Sequence, residues 1–167
     1  MTPVARIACV LVLIATSCLA KEVKGKTYAF TIPDDATFEF QEAMESYTFK
    51  WGDGAAFGMM MLFPMQGGIS EGMAKPMLDL MAASLEDQLK KQGQFTNISK
   101  RKRDVKTGPF TGAEIEFTMT HGGGVKLWQS MLVLWDGQQA WTANLTGSSA
   151  DHIATAHKIL GTATPIK

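Results

Sequence analysis

An α+β domain, with a single antiparallel β-sheet and helices packed on it, is the fold class that this sequence predicts, and three observations carry it. Apolar and polar residues alternate with a period of two in several separate stretches, as in half-buried strands. Two other stretches, residues 76–92 and 148–161, switch to the helical period. Glycine-centred turns join neighbouring strand stretches closely enough for hairpins. The resulting order is hairpin, helix, meander, helix, and one sheet carrying its helices removes the apolar face of each from water.

The chain starts with a short basic segment ending at Arg6, an apolar run Ile7–Ile14, and a small-residue stretch from Ala15 to Ala20. That is the order of a secretory signal peptide, so residues 1–20 are read as a leader and residues 21–167 as a single α+β domain. The apolar run is shorter than the roughly 20 residues that cross a bilayer. Cleavage after Ala20 satisfies the small-residue rule. Cleavage before Cys18 is the alternative, because Ala15-Thr16-Ser17-Cys18 resembles the lipobox of bacterial lipoproteins, although leucine is usual where Ala15 stands. In that form Cys18 is the lipidation site, and a lipid anchor is the only membrane attachment expected. Either way the protein is exported, to the periplasm or cell envelope if the source is bacterial.

The two cysteines, Cys9 and Cys18, both lie in this leader region. The remaining chain therefore has no disulfide, no cysteine-ligated metal and no cysteine nucleophile. With 16 basic and 16 acidic residues the charge is balanced, and loss of Arg6 leaves it near −1, which argues against a nucleic-acid partner.

Residues 21–26 are charged and read as a solvated lead-in. Tyr28, Phe30 and Ile32 then alternate with Thr27, Ala29 and Thr31 up to Pro33. Tyr47, Phe49 and Trp51 form a second strand, ending at Gly52-Asp53-Gly54, and the run Ala55–Met65, apolar on both faces, pairs with it as an interior strand. Pro76 suits a first helical turn and Gly93 the left-handed position after a last one. Between them Leu78, Met81, Leu85 and Leu89 share one face, and Glu86 with Lys90 and Asp87 with Lys91 make i, i+4 pairs on the other.

In the second half Ala113, Ile115, Phe117 and Met119 alternate with Glu114, Glu116 and Thr118, which predicts a strand with one wet face and both glutamates at the surface. Gly122-Gly123-Gly124 turns the chain into Val125–Trp135, apolar on both faces and hence central. Asp136-Gly137 signals a two-residue hairpin into Gln138–Thr146. The last helix starts at Ser148, with Asp151 three residues on, and buries Ile153, Ala156 and Leu160 before Gly161.

The aromatic strand closing on Ile32-Pro33, the strand Tyr47–Trp51, the long middle helix, the entry Gly112-Ala113-Glu114 and the final hairpin plus helix together resemble the PsbP/DcrB-like α/β sandwich family. The similarity spans Tyr28–Leu160. It implies an exported or accessory protein that binds a partner, with no catalytic residues carried by the fold.

Three constellations bear on chemistry. Met59, Met60, Met61, Met65, Met73, Met77 and Met81 crowd one region. Thioethers suit Cu(I), with Met73, Met77 and Met81 as the candidate ligands; a flexible partner surface is a second reading, and gap-filling in the core, buried with scattered sulfurs, is the expected one. Lys100, Arg101, Lys102 and Arg103 are a candidate patch for an anionic surface, weighed against a solvated edge strand. His152 and His157 are five apart on the last helix, not the four of shared metal ligation, so His157 and Lys158 are assigned to the helix's negative end. His121 heads the glycine turn, and no G-x-S-x-G elbow accompanies it. No catalytic or cofactor-binding residue, and no cofactor, is assigned. The expected function is a non-catalytic accessory or binding domain of the cell envelope, whose partner is a protein or the envelope surface. A methionine-rich Cu(I)-binding protein and a hydrolase without a recognisable motif are the competing readings.

Overall fold

The computed structural model describes residues 20–62 and 71–167; residues 1–19 of the expected leader, Cys18 included, and Met65 lie outside them. Ten strands and two helices follow in the order β1 (Ala20–Lys24), β2 (Tyr28–Pro33), β3 (Thr37–Gln41), β4 (Ser46–Trp51), β5 (Ala56–Leu62), α1 (Ala74–Gln92), β6 (Phe95–Thr107), β7 (Phe110–His121), β8 (Lys126–Trp135), β9 (Ala140–Gly147), α2 (Ala150–Gly161) and β10 (Thr164–Pro165). The fold is α+β, but the strands form two sheets where one was expected. A three-stranded sheet has the order β1-β2-β10, a seven-stranded sheet the order β3-β4-β5-β9-β8-β7-β6, and every pairing is antiparallel.

The physical reason for two sheets lies in the neighbours of β2. Its alternation fixes which side chains are apolar, not which strand it pairs with. Residues 21–24 of the expected solvated lead-in 21–26 pair, with Ala20, along β2 as its edge strand, and β3, with Phe38 and Phe40, takes the place beside β4. β2 is thereby laid across the seven-stranded sheet. Tyr28, Phe30 and Ile32 pack on Tyr47, Phe49, Phe110 and Trp141, with neighbouring ring centroids 5.1–6.2 Å apart. Such tilted and edge-on contacts add to the large area each ring buries.

β5 sits in the interior of the large sheet, and α1 carries the chain from it over one face to the far edge. From there β6, β7, β8 and β9 meander back until β9 pairs with β5. The helix consequently lies on β6–β8. Leu78, Ala82 and Leu89 pack with Ala113, Ile115, Phe117, Met119, Met131 and Val133, forming one core. The opposite face carries α2 and the small sheet, with Ile153, Ala156, Ile159 and Leu160 packed among Leu132, Leu134, Leu145 and the β2 aromatics. β8 is covered on both faces, which accounts for its unbroken apolar run.

Local chemistry sets the boundaries. Gly52, Asp53 and Gly54 all take left-handed φ, so the β4–β5 turn needs residues that tolerate it. α1 ends as expected on left-handed Gly93, whose N–H reaches the Lys90 carbonyl. It starts at Ala74, two residues before Pro76, which falls within the first turn. Its outer face carries the pairs Glu86–Lys90 and Asp87–Lys91. The β8–β9 connection has four residues instead of two, because Trp135 pairs with Ala140. α2 is capped by Ser149, one residue later than expected, whose side chain accepts from the His152 N–H.

Leu78 is fully buried whereas Leu85 is only partly so. Leu78→Ala is expected to lower stability by about 2–5 kcal/mol, and by more than Leu85→Ala does. Urea denaturation that ranks the two variants the other way would put the wrong face of α1 on the sheet.

Candidate functional site

β6 organises the charged side of the molecule. Its alternate residues point to opposite faces, and the structure supplies each of the four expected basic residues with an acid. Lys100 pairs with Glu86 and Lys102 with Asp79, both on α1 and both at 2.6 Å, while Lys75 of α1 pairs with Asp104 at 2.8 Å. On the other face Arg101 pairs with Glu116 at 3.2 Å and Arg103 with Glu114 at 2.5 Å, both on β7. The patch is the expected edge strand, with its charges matched. Exposed pairs of this kind add little stability, so this zipper selects register more than it stabilises.

Glu114 departs from expectation. Its alternation predicts a wet face, yet its exposure is 0%. The reason is α2, which crosses that face of the sheet and carries His157 over the carboxylate. Oε1 of Glu114 accepts from His157 Nε2 at 2.8 Å and from the Ser130 hydroxyl, and Oε2 accepts from Arg103 Nε. His157 therefore holds a carboxylate, not the end of its own helix as the sequence suggested. Burial pushes the Glu114 carboxyl up, but the hydrogen bonds from His157, Arg103 and Ser130 outweigh it and hold the group at about 2. The Glu114 carboxylate in turn raises Arg103 above its ordinary value.

This cluster opens to solvent on one side. Arg103 and Thr107 of β6, with Ala154 and His157 of α2, line a cleft of about 400 Å³. Thr107 Oγ1 donates to the His157 carbonyl at 3.2 Å and ties the cleft's two walls together. Ser130 is fully buried and shares its acceptor oxygen with His157, so the carboxylate sits between hydroxyl and imidazole. A serine nucleophile needs its base within hydrogen-bond reach, and this arrangement interposes an acid instead. What the geometry offers is a fixed charged floor.

The methionines lie elsewhere and correct a second expectation. Of those described between Met59 and Met81, only Met60 is fully buried; Met59, Met61, Met77 and Met81 are half-buried and Met73 is 46% exposed. Cross-strand register explains the difference. Met59 and Met61 stand opposite Asn144 and Thr142 of β9, which stand opposite Met131 and Val133 of β8, so both methionines share the face that α1 occupies. Met60 points to the other, filled face. Because α1 covers β6–β8 and, among the described residues, no helix covers β3–β5 on this face, this side of β5 is left partly open. Between the helix and the strands, Leu80, Met81 and Leu85 face Gln129, Met131 and Asn144 across a trough of about 470 Å³. Leu80 is 74% exposed at its rim, and Asn144 Oδ1 is buried with no hydrogen-bond partner.

The Glu114 carboxyl is held below its ordinary range, so the unfolded chain binds the proton more readily between about pH 4.5 and 2. Its contribution, on the order of 2 kcal/mol after allowing for solvent screening, is present above that window and fades as pH falls through it. Glu114→Gln is expected to destabilise the protein near neutral pH and to flatten part of the acid limb in urea titrations. An acid limb identical to wild type would remove Glu114 from that role.

No protein-family model and no curated protein matches the chain. Solved structures do. The solution structure of cyanobacterial PsbP (CyanoP) from Synechocystis sp. PCC 6803 superposes with a TM-score of 0.59 and 10% identity, covering 99% of this chain and 100% of that one. A crystal structure of a protein from Bacteroides thetaiotaomicron VPI-5482 gives a TM-score of 0.51 and 17% identity over 84% of this chain. This chain spans 45% of that protein's length. At such identities the likeness concerns architecture alone: the chain has a PsbP-like α+β fold.

Proposed function

We propose that the protein is an exported, non-catalytic accessory domain of the cell envelope, and that it binds a protein partner through the trough beside α1. The observation that carries this reading is the apolar lining of the trough, in which the protruding Leu80 stands with Met81, Leu85 and Met131, and which the half-buried Met59 continues opposite Asn144 on β5. Methionine is unbranched and polarizable, so a surface built from it re-packs against different partner shapes. Thr142 and Asn144 border the apolar stripe along β9, giving the polar rim that protein interfaces carry. The family that the sequence resembles consists mostly of exported or accessory proteins, which points the same way. Among the described residues no helix is long and apolar enough to cross a membrane.

Either leader cleavage leaves Lys21–Lys24 of β1 in place, so both forms are compatible with the fold. If Cys18 is lipidated, Cys18→Ser is expected to move the protein from the detergent-requiring membrane fraction to the soluble one. Unchanged fractionation would select cleavage after Ala20.

Leu80→Glu combined with Ser84→Glu places charge on the trough without touching either core. The double variant should fold with wild-type stability and lose at least tenfold in affinity for the partner recovered with the wild-type protein from its own envelope. Undiminished binding would exclude the trough. The grouping of four methionines on one side also favours a second reading, Cu(I) binding. Stoichiometric Cu(I) retention, lost in a folded variant with Met73, Met77 and Met81 changed to leucine, would select it over the partner surface.

A further inference from the structure

We propose that the cleft between β6 and α2 binds a phosphate-class oxyanion, with Arg103 as its principal donor. The site is on the opposite face of the large sheet from the methionine trough and stands independently of it. Its foundation is the buried carboxylate. Glu114 engages the Nε edge of Arg103 and thereby fixes the guanidinium plane, while the side chain remains 42% exposed toward the cleft. A guanidinium anchored along one edge keeps its terminal nitrogens free in a fixed fork, the geometry that matches two oxygens of a phosphate. Arg103 Nη2 lies 3.3 Å from His157 Nε2, so the ring stands at the edge of the same fork. His157 also donates to Glu114, which leaves the fork's outer hydrogens for a ligand.

The surrounding charge agrees. Arg101, paired with Glu116, projects from the same face of β6 two residues away, while Lys106 borders the cleft from the strand but alternates to the face of Asp104. Asp104, the acid among the lining residues, turns to the other face and is held by Lys75. Glu114 balances Arg103 but is fully covered, so of this pair only the guanidinium meets solvent in the cleft. An ion pair built on a buried carboxylate is weak evidence for stability, because apolar replacements of similar size often fold as well. Its placement under an open cleft of about 400 Å³ is better explained by what it orients there. The cleft has room for more than a single small anion, and the phosphate can come from a free metabolite or from a lipid headgroup.

The test is an NMR titration of the purified protein with sodium phosphate at constant ionic strength, read at the Arg103 side chain and the amides of residues 103–107 and 154–157. Saturable shifts confined to those positions are expected, with at least a tenfold weaker response in Arg103→Lys, which keeps the charge opposite Glu114 but removes the fork. Shifts that are linear, or spread over every lysine-rich surface, overturn the proposal, as does full binding by a folded Arg103→Lys. If that variant does not fold, the wild-type localisation decides alone. Sedimentation with phosphatidylcholine vesicles, with and without phosphatidylglycerol, separates the sources. Binding to the phosphatidylglycerol vesicles that free phosphate displaces assigns a headgroup. Phosphate binding without vesicle binding assigns a soluble ligand, and neither response refutes the site.

Discussion

Both faces of a broad sheet have to be taken out of water, and this chain has three pieces with which to do it: α1, α2 and the small sheet built on β2. Two of them fall on the same face. There α2 and β2 lie side by side and bury a continuous core from Tyr47 and Phe49 on one side to Phe110 on the other. The opposite face receives α1 alone, and the crossover from β5 to the far edge commits that helix to β6–β8. A helix with side chains is only about 10–12 Å wide, and strands lie about 4.8 Å apart, so one helix covers two or three strands and no more. The open half over β5 is therefore a consequence of topology. Its side chains, methionine and phenylalanine in register with threonine, serine and asparagine, are those of a surface that is partly wet.

The seam between the sheets is held by polar contacts at its ends as well as by rings in its middle. Tyr47 Oη accepts the backbone N–H groups of Thr27 and Tyr28 at 3.0 and 3.2 Å, satisfying the start of β2 from the other sheet. Asp136, in the β8–β9 turn, accepts from Tyr28 Oη at 2.7 Å and Trp141 Nε1 at 2.8 Å through one oxygen, and from the Gln138 and Gln139 N–H groups through the other. Burial raises the Tyr28 hydroxyl's pKa and the bond to Asp136 adds to it, so the phenol remains a donor across the physiological range. A turn residue chosen for its hairpin chemistry is thus also the clamp for β2. Close approach matters too: a side chain on Gly112 would run into the Val133 carbonyl of β8, so the resemblance-bearing Gly112-Ala113-Glu114 entry owes its first residue to packing.

What could be read from the sequence was local. The end of α1 followed from Gly93 and its start, to within two residues, from Pro76, and β8 announced its central place by apolar residues on both faces. The split into two sheets could not be read, because alternation specifies the face of a residue and not the partner of a strand. β1 was hidden by its charge, which suits an edge strand as well as a loop. Glu114 was hidden by its own alternation: beside Glu116 on one strand face it has the pattern of a wet surface, and only the path of α2 covers it. A signal was available nonetheless. Counting outward from the two-residue turn Gly108-Pro109 sets Arg103 opposite Glu114 and Arg101 opposite Glu116, as the structure pairs them. Complementary charges at matched distances from a turn predict the register and single out the charged pairs.

Why the covered carboxylate persists is the remaining step. Removing the Glu114 carboxylate from water costs several kcal/mol, offset here by donors from three further elements: β6, β8 and α2. Elsewhere α2 sits on the sheet through Ile153, Ala156, Ile159 and Leu160, and an apolar residue at position 114 would have extended that contact at no such cost. The arrangement instead fixes the rotation of α2 about its axis, since His157 reaches Oε1 of Glu114 from a single orientation of the helix. It also fixes Arg103 at the cleft wall, where an unpaired arginine would sweep through solvent. A buried acid that positions an exposed base on one side and locks a helix on the other converts desolvation into geometry, and that geometry is what distinguishes this end of the fold from the pliable methionine surface on its opposite face.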